Sequence, residues 1–490
     1  MKLPVRLRAL AREAIAPEGA DGLDSIAFSL LLILGALVPV FYEAGPAANR
    51  QAMGGGATLP RGDILLELFA FMIAAATFLS GSRARSLRPL RVPLGAMSAL
   101  AVLGCLQLLP FPRWLLSWVA PVNLEIYHDS AGILGLFSSQ PAPRPRISIA
   151  PTETVGTVLL ILAYLSLFLA AANLMRTRPR RRLFVATIFV SAVLQILFAL
   201  LIEGPRRSAG ADEQRLHGLF VNPNHFAGYL EIVLALGFAA IWTQVLVSGD
   251  RVSPTAEGAE RYEKRLLPVA GRVLLWAVLA VAVGATESRG GILAVAVTTA
   301  TLLAMAVFHR RVRFPRRALL GAAIALLAGM LFVAKTTGSE PFLRFLKLDP
   351  RDLANNTRVA LWRTSLRAWE LFPVVGSGLG TFREAFRRVQ PRELEGLVEQ
   401  AHSDSLQLLV TGGLVGELLG ILLFTSLFIL LIRAWRQEKH REEATLILGG
   451  IGALLSLTLH GLLDFNLSIP AIPALLACVL GTAWAAGRSR

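Results

Sequence analysis

Lys335-Thr336-Thr337-Gly338-Ser339-Glu340 opens, and Ala401-His402-Ser403-Asp404 closes, a long polar excursion in an otherwise apolar chain. A run rich in Ala, Leu, Ile and Gly from Ala318 to Ala334 precedes it, and a new apolar run begins at Leu406. Backbone N–H and C=O groups find no partners in hydrocarbon, so an insert of this length between two apolar runs sits outside the lipid. Its mixture of Arg, Trp, Gly, Asp and Glu makes it the first place to look for chemistry. The apolar runs then serve as scaffold.

Such runs recur along all 490 residues, of which 54% are hydrophobic and 17% charged. Mean hydropathy is +0.58. A soluble domain this apolar would expose large sticky patches, so the composition predicts an all-α polytopic membrane protein. At about 20 residues per span, the cores fall at 24–41, 63–80, 93–110, 153–174, 183–203, 224–247, 267–286, 290–308, 318–335, 405–432, 444–463 and 469–486, about twelve transmembrane helices. The chain divides into a cytoplasmic N-terminal segment 1–23, helices one to nine over 24–335, a periplasmic loop region 336–404, and helices ten to twelve with a short cytoplasmic tail over 405–490.

A net charge of +16 suggests nucleic acid, but the basic residues fall in short clusters between apolar runs, which is an orientation signal instead. Arg83-Ala84-Arg85, Arg176-Thr177-Arg178-Pro179-Arg180-Arg181-Arg182, His309-Arg310-Arg311 and Arg433-Ala434-Trp435-Arg436 share one side with Lys2, Arg6, Arg488 and Arg490. By the positive-inside rule that side is cytoplasmic and both termini lie on it. Gly258–Lys264 reads as an ordinary inner loop. The first span outlasts a signal-peptide core and no small-residue cleavage site follows, so it reads as a retained helix. Cys105 and Cys478 each lie inside an apolar run, which supports neither a disulfide framework nor a zinc site.

The outer connectors hold the unusual residues. Trp114 and Trp118 sit just past the third span, where aromatic anchors at the headgroups are expected. In the long loop Val359, Trp362, Leu366 and Trp369 recur at helical spacing, predicting an amphipathic helix along the outer boundary, with Arg363 and Arg367 on an adjacent face. Pro373 stops it, and Gly376-Ser377-Gly378-Leu379-Gly380 reads as a flexible turn. No strand–helix unit surrounds these glycines, so they make no dinucleotide fingerprint.

Three sites stand out. Arg289, in Glu287-Ser288-Arg289-Gly290-Gly291, occupies a hairpin too tight for a solvated loop. An arginine there pairs with Glu287, snorkels, or forms an anion site that the glycines let a ligand approach. Arg215 and His217 precede Asn222-Pro223-Asn224, a helix start, and Arg206 or Arg207 could stand in for Arg215. His402 can exchange a proton near neutral pH, and Asp404 could hold its tautomer. His460, Asp464 and Asn466 form a polar cluster with a structural or acceptor-lining role. Glu231 is the main charge inside a span. There is no Gly-x-Ser-x-Gly elbow and no acidic pair beside the outer arginines. Arginines would therefore bind phosphate oxygens by themselves, without metal or cofactor.

The segments Arg215-Leu216-His217-Gly218-Leu219-Phe220-Val221-Asn222-Pro223-Asn224-His225-Phe226, Ser288-Arg289-Gly290-Gly291, Asn356-Thr357-Arg358 with Trp362-Arg363, Pro373-Val374-Val375-Gly376 and Ala401-His402-Ser403-Asp404 together resemble the O-antigen ligase family. The likeness spans roughly residues 150–470 and rests on the order of short motifs. It implies a multi-pass glycosyltransferase of the bacterial inner membrane, inverting and metal-independent, acting on the periplasmic face. Its donor would be an undecaprenyl-pyrophosphate-linked glycan. The acceptor would be lipid A–core for a ligase, or a second lipid-linked glycan for an O-antigen or exopolysaccharide polymerase. Carried over by motif, Arg215 and Arg289 would bind the pyrophosphate, and His402 would assist the acceptor. His217, Asn224, Arg358 and Arg363 would contact donor or glycan. A secondary transporter for a lipid or organic anion is the alternative from another class. Transporters, however, place polar residues and broken helices near the midplane, often in repeated halves, whereas these polar residues gather at one face.

Overall fold

A computed structural model describes residues 11–17, 21–41, 62–81, 88–137, 143–203, 215–220, 222–248, 256–308, 357–392, 394 and 396–488. Among these the chain is helical, and its one bridge of extended backbone pairs Pro110 with Arg146. The helices are α1 (Gly22–Leu37), α2 (Gly62–Leu79), α3 (Arg91–Leu108), α4 (Arg113–Val119), α5 (Pro121–Phe137), α6 (Pro151–Leu174), α7 (Arg178–Phe198), α8 (Pro223–Ser248), α9 (Ala256–Ala285), α10 (Arg289–Phe308), α11 (Thr357–Leu371), α12 (Phe382–Arg387), α13 (Asp404–Gln437), α14 (Arg441–Gly461) and α15 (Ala471–Ala486).

Eight helical stretches among the described residues are long and apolar enough to cross a membrane. They overlie the expected cores that begin at 24, 93, 153, 183, 224, 290, 405 and 444. The cores at 267–286 and 469–486 appear as the shorter apolar helices Val269–Ala285 and Ala471–Ala486, and 63–80 as α2. The expected span 318–335 lies outside the described residues. Gly258–Lys264 is no loop but part of the first turns of α9. Trp114 and Trp118 are exposed, at 70% and 88%.

Burial separates the centre from the lipid face. The window in α8 is 89% buried and that in α14 is 78%, against 17% in α13. Every residue of α15 is buried. The centre is therefore α8 against α14, with α9 and α10 beside α8 and α15 between α14 and α6. Small residues let these backbones approach closely, as membrane helices require when no hydrophobic drive exists between them. A Cβ at Gly452, for example, would meet Ala235 and Leu302.

One helix is broken on purpose. Gly413 in α13 takes φ 64° and ψ −166°, which divides the helix within its first third. The loop repairs the break. Leu414 and Val415 donate their N–H groups to the Pro373 and Val374 carbonyls at 2.9 and 3.1 Å. Ser377 and Gly378 in turn donate to the Val410 and Thr411 carbonyls at 3.1 and 3.0 Å. Gln107 of α3 seals the junction: its Nε2 donates to the Val375 and Thr411 carbonyls, and its Oε1 accepts from Leu379 N–H. The freed N–H groups of Leu414 and Val415 and the carbonyls of Val410 and Thr411 thus find partners inside the protein, the condition under which a helix can be interrupted at membrane depth.

The Gly376–Gly380 string is therefore not the flexible turn its composition predicts. Ser377 is fully buried, and a Cβ at Gly376 (φ +76°) would run into the Thr411 carbonyl. The face of α11 also differs from expectation. Leu361, Thr364, Ser365 and Ala368 are buried while Leu366 is 42% exposed, because the helix packs on α13 and on Phe382 and Phe386 of α12. Trp362 and Trp369 use their indole N–H groups instead, donating to the carbonyls of His402 and Pro373.

At the other end of the bundle the basic cluster is locked down. Arg178 makes two hydrogen bonds to Glu443, Arg181 a third, and Arg182 pairs twice with Glu442. Arg180 lies 2.6 Å from Asp24 and stacks over the Phe28 ring. Glu443 begins α14 and His460 ends it. At 1.5 Å per residue these two ends are about 25 Å apart.

Candidate active site

At the far end of α14 from Glu443, several helix ends meet: the start of α8, the α9–α10 turn, the start of α11, the start of α13 and the segment following α14. Asn224 at the start of α8, Arg358 at the start of α11 and His402 just before α13 share one partner, Asp464 in the segment after α14, whose side chain is 1% exposed.

Asp464 Oδ2 accepts from Asn224 Nδ2 at 2.6 Å and from Arg358 Nη2 at 3.3 Å. Arg358 Nη1 also donates to the Leu463 carbonyl at 3.0 Å, so the guanidinium grips the same turn twice. Asp464 Oδ1 accepts from Phe465 N–H at 3.0 Å and lies 3.4 Å from His402 Nδ1. The last is an ion-pair contact rather than a hydrogen bond, leaving Nδ1 without a hydrogen bond. Burial alone would push the Asp464 carboxyl up, but the His402 imidazole, and after it Arg358, reverse this and hold it below the usual carboxylate range. Asp464 is therefore an anion at neutral pH, a counter-charge for whatever cation stands beside it.

Asn224 uses both ends of its amide. While Nδ2 donates to Asp464, its Oδ1 accepts from Arg215 Nη2 at 2.6 Å. Arg215 Nε donates to the Thr286 carbonyl at 2.9 Å, and the Leu216 N–H donates to the Ala285 carbonyl. Arg215 is thereby tied to the α9–α10 turn, and that same turn carries Arg289 three residues later. Arg289 itself is exposed and makes no ion pair among the described residues.

His402 is held from several sides. Its φ of +49° is left-handed, a strained setting for a residue with a Cβ and one that tends to mark functional positions. Its carbonyl accepts from Trp362, its ring meets the Phe465 edge at 4.8 Å, and its side chain remains 32% exposed. Phe465 also meets the His225 ring, at 4.6 Å and nearly perpendicular. With Nδ1 turned toward Asp464, Nε2 is the nitrogen left to meet a ligand.

The structure thus gathers Arg215, Asn224, Arg358 and His402 around one carboxylate, with Arg289 on an adjoining turn. Asn224 acts as a bridge within this group. His217 lies in the same loop as Arg215, its Nδ1 3.1 Å from the Gly218 carbonyl. Arg363 projects outward from α11, exposed and without an ion pair among the described residues. Arg206 and Arg207 lie outside the described residues.

One sequence reading needs correction. Asp404 does not hold the His402 tautomer: its two oxygens each accept from the Leu467 N–H at 3.1 Å, which caps the turn after α14. Asp464 takes the place beside His402. That residue was visible only as one member of a polar cluster, since a contact between residues 402 and 464 has no local signature. The spacing of His460 and Asp464, four apart at a helix end, was the available hint.

A family model described as "O-Antigen ligase" matches residues 273–421, from within α9 through the broken part of α13. Arg289, Arg358, Arg363 and His402 fall inside the matched stretch; Arg215, His217, Asn224 and Asp464 fall outside it. No curated protein matches the chain.

Proposed function

With the O-antigen ligase family assignment over residues 273–421 as the premise, we propose that this multi-pass membrane protein transfers a glycan from undecaprenyl pyrophosphate to a sugar hydroxyl on the periplasmic face of the inner membrane. The reaction would invert the anomeric centre and use no metal. The acceptor is lipid A–core in a ligase, or another lipid-linked glycan in a polymerase. What supports the reading is the gathering of Arg215, Arg358 and His402 about Asn224 and Asp464, with Arg289 on the adjoining turn, at the helix ends opposite the basic cluster of α7.

The energetics follow from the chemistry. A lipid pyrophosphate is an activated leaving group, and as its bond to the anomeric carbon breaks, negative charge grows on the bridging oxygen. Arg215 and Arg289, anchored to one turn, stabilise that charge more than they stabilise the bound ground state, which is the requirement for catalysis. His402 Nε2 takes the proton of the attacking hydroxyl as the new bond forms, and Asp464 stabilises the resulting imidazolium. Arg358 and Asn224 keep Asp464 in place. A positioned base of this kind contributes about 10²- to 10⁴-fold.

The test supplies purified, reconstituted protein with a lipid-pyrophosphate oligosaccharide and an acceptor, with no ion gradient. Elongated or acceptor-linked glycan is expected, and Arg289→Ala should reduce the rate by about 10²- to 10³-fold. Absence of product with both acceptor classes would overturn the reading, and near-normal transfer by Arg289→Ala would remove that residue from the pyrophosphate site.

A further inference from the structure

The transfer reading leaves unused a deeply buried polar chain in the bundle. Glu231, on α8, is 1% exposed, and its side chain lies among membrane-spanning helices. Its Oε1 meets His460 Nδ1 at 2.6 Å and its Oε2 accepts from Ser456 Oγ at 2.8 Å. The other ring nitrogen, His460 Nε2, faces Ser288 Oγ at 3.4 Å. Ser288 Oγ then accepts from the Gly291 N–H at 3.3 Å. Read as hydrogen bonds, the carboxylate fixes the imidazole tautomer, and the imidazole receives the serine proton. The serine keeps a lone pair for the helix N–H. Each proton is used once, and such a chain rigidifies what it touches.

What it touches is the turn that carries Arg289. A Cβ at Gly290 would stand 2.9 Å from His460 Cδ2, and one at Gly291 would stand 3.0 Å from Glu231 Oε1. The first turn of α10 therefore rests directly on the Glu231–His460 pair, with no room for a larger residue between. The preceding residue pair is equally constrained: Glu287 has a left-handed φ of +51°, and Ser288 is 2% exposed. Arg289 leaves the chain from this turn, so the turn's backbone sets the point and direction from which its side chain reaches out. An ionisable pair inside a membrane bundle is expensive, and well-packed apolar residues would serve stability as well or better. Its retention beneath this one turn calls for a reason beyond stability.

We propose that Glu231 and His460 are positioning residues for Arg289. Acting through Ser288 and the Gly290–Gly291 backbone, they fix the guanidinium at a diphosphate subsite. The inference rests on the transfer reading only in naming diphosphate as the ligand.

The experiment is a double-mutant cycle on binding. Full-length protein in lipid nanodiscs is titrated with farnesyl diphosphate, as the unsubstituted chain, Glu231→Gln, Arg289→Ala and the double variant. Glu231→Gln should bind roughly tenfold more weakly, a usual cost when the group orienting a ligand-binding side chain is removed. The double variant should bind no more weakly than Arg289→Ala alone, because the pair acts only through that arginine. A merely structural pair would lower the melting temperature without this coupling. If Glu231→Gln does not fold, Ser288→Ala cuts the same chain at its outer link and should show the same coupling to Arg289. Losses that multiply in the double variant would overturn the proposal, and so would unchanged binding by Glu231→Gln or no binding by the unsubstituted chain. Binding without glycan transfer would instead overturn the transfer reading, and the cycle would still judge the pair.

Discussion

At one end of α14, Glu443 holds Arg178 at 2.7 Å and Arg181 at 3.2 Å. Just past the other end, Asp464 holds Arg358 at 3.3 Å and stands 3.4 Å from His402. Both acids have side chains 1% exposed; Glu443 pairs with two arginines, Asp464 with one arginine and a histidine. They differ in what surrounds the pair. Arg181, 3% exposed, also donates to the Met175 and Arg176 carbonyls, so its cluster closes on the protein's own backbone. Arg358 remains 38% and His402 32% exposed, and Arg289 nearby pairs with no acid among the described residues. The first cluster is a clasp between helices. The second is a cationic site left open on one side. Residue types alone do not distinguish them, and neither does exposure, since Arg178 is 50% exposed; what does is that the clasp's arginines are each paired with an acid while His402 Nδ1 makes no hydrogen bond and Arg289 no ion pair among the described residues.

The largest expected difference between the two ends is in chemistry. His402→Gln should lower kcat for glycan transfer by about 10²- to 10⁴-fold, with a much smaller effect on melting temperature, because its ring is partly solvated and Arg358 and Asn224 still pair with the buried Asp464 carboxylate. Single-turnover rates with saturating lipid-pyrophosphate donor provide the check. A variant that lost stability in proportion to activity would place His402 with the clasp rather than the site.

Glu443→Gln should behave in the opposite way. It removes the carboxylate from two arginines, one of them buried, and breaking such a pair costs about 3–5 kcal/mol of stability. Transfer per folded molecule should stay within about twofold, the range of a substitution far from the reacting groups. Thermal melting in detergent alongside the rate normalised to folded protein separates the two quantities. A large loss of normalised rate would mean that the two ends of α14 are coupled, and the comparison would fail.

Much of this architecture is legible in the residues, and the gaps have physical causes. Spans announce themselves by length and apolarity, which is why the cores beginning at 24, 153 and 444 fall on helices. The Arg215, Arg289 and His402 motifs were legible because cations and imidazoles are conspicuous beside apolar runs. The hub was not. Asp464 becomes central only through partners 106 and 240 positions away, and no local pattern encodes such a meeting. The glycines at 376–380 misled for a related reason. Their composition signals conformational freedom, yet the same freedom lets the loop thread against the break at Gly413 and become rigid. The stripe on α11 misled because Thr364 and Ser365, polar by type, turn toward α13. Ser365 Oγ donates to the Leu361 carbonyl and so can be buried cheaply.

The smallest expected effect falls on Arg363. The motif likeness gives it a place beside Arg358, and both lie on α11, but the helix separates their surroundings. Arg358 and Trp362, four apart, share a face and contact the turn after α14 and the His402 carbonyl. Arg363 is a further 100° around the helix from Trp362, exposed and without an ion pair among the described residues. Exposed substitutions away from special features shift free energies by about 0.5 kcal/mol or less, so Arg363→Ala should change kcat/KM by no more than about twofold. Arg358→Ala, which strips Asp464 of its guanidinium partner, should cost far more. Measuring both variants with the same donor makes the comparison sharp within a single helix. If Arg363→Ala proved as damaging as Arg358→Ala, the open site would extend beyond the Asp464 hub to the outer face of α11, where a long glycan chain would run.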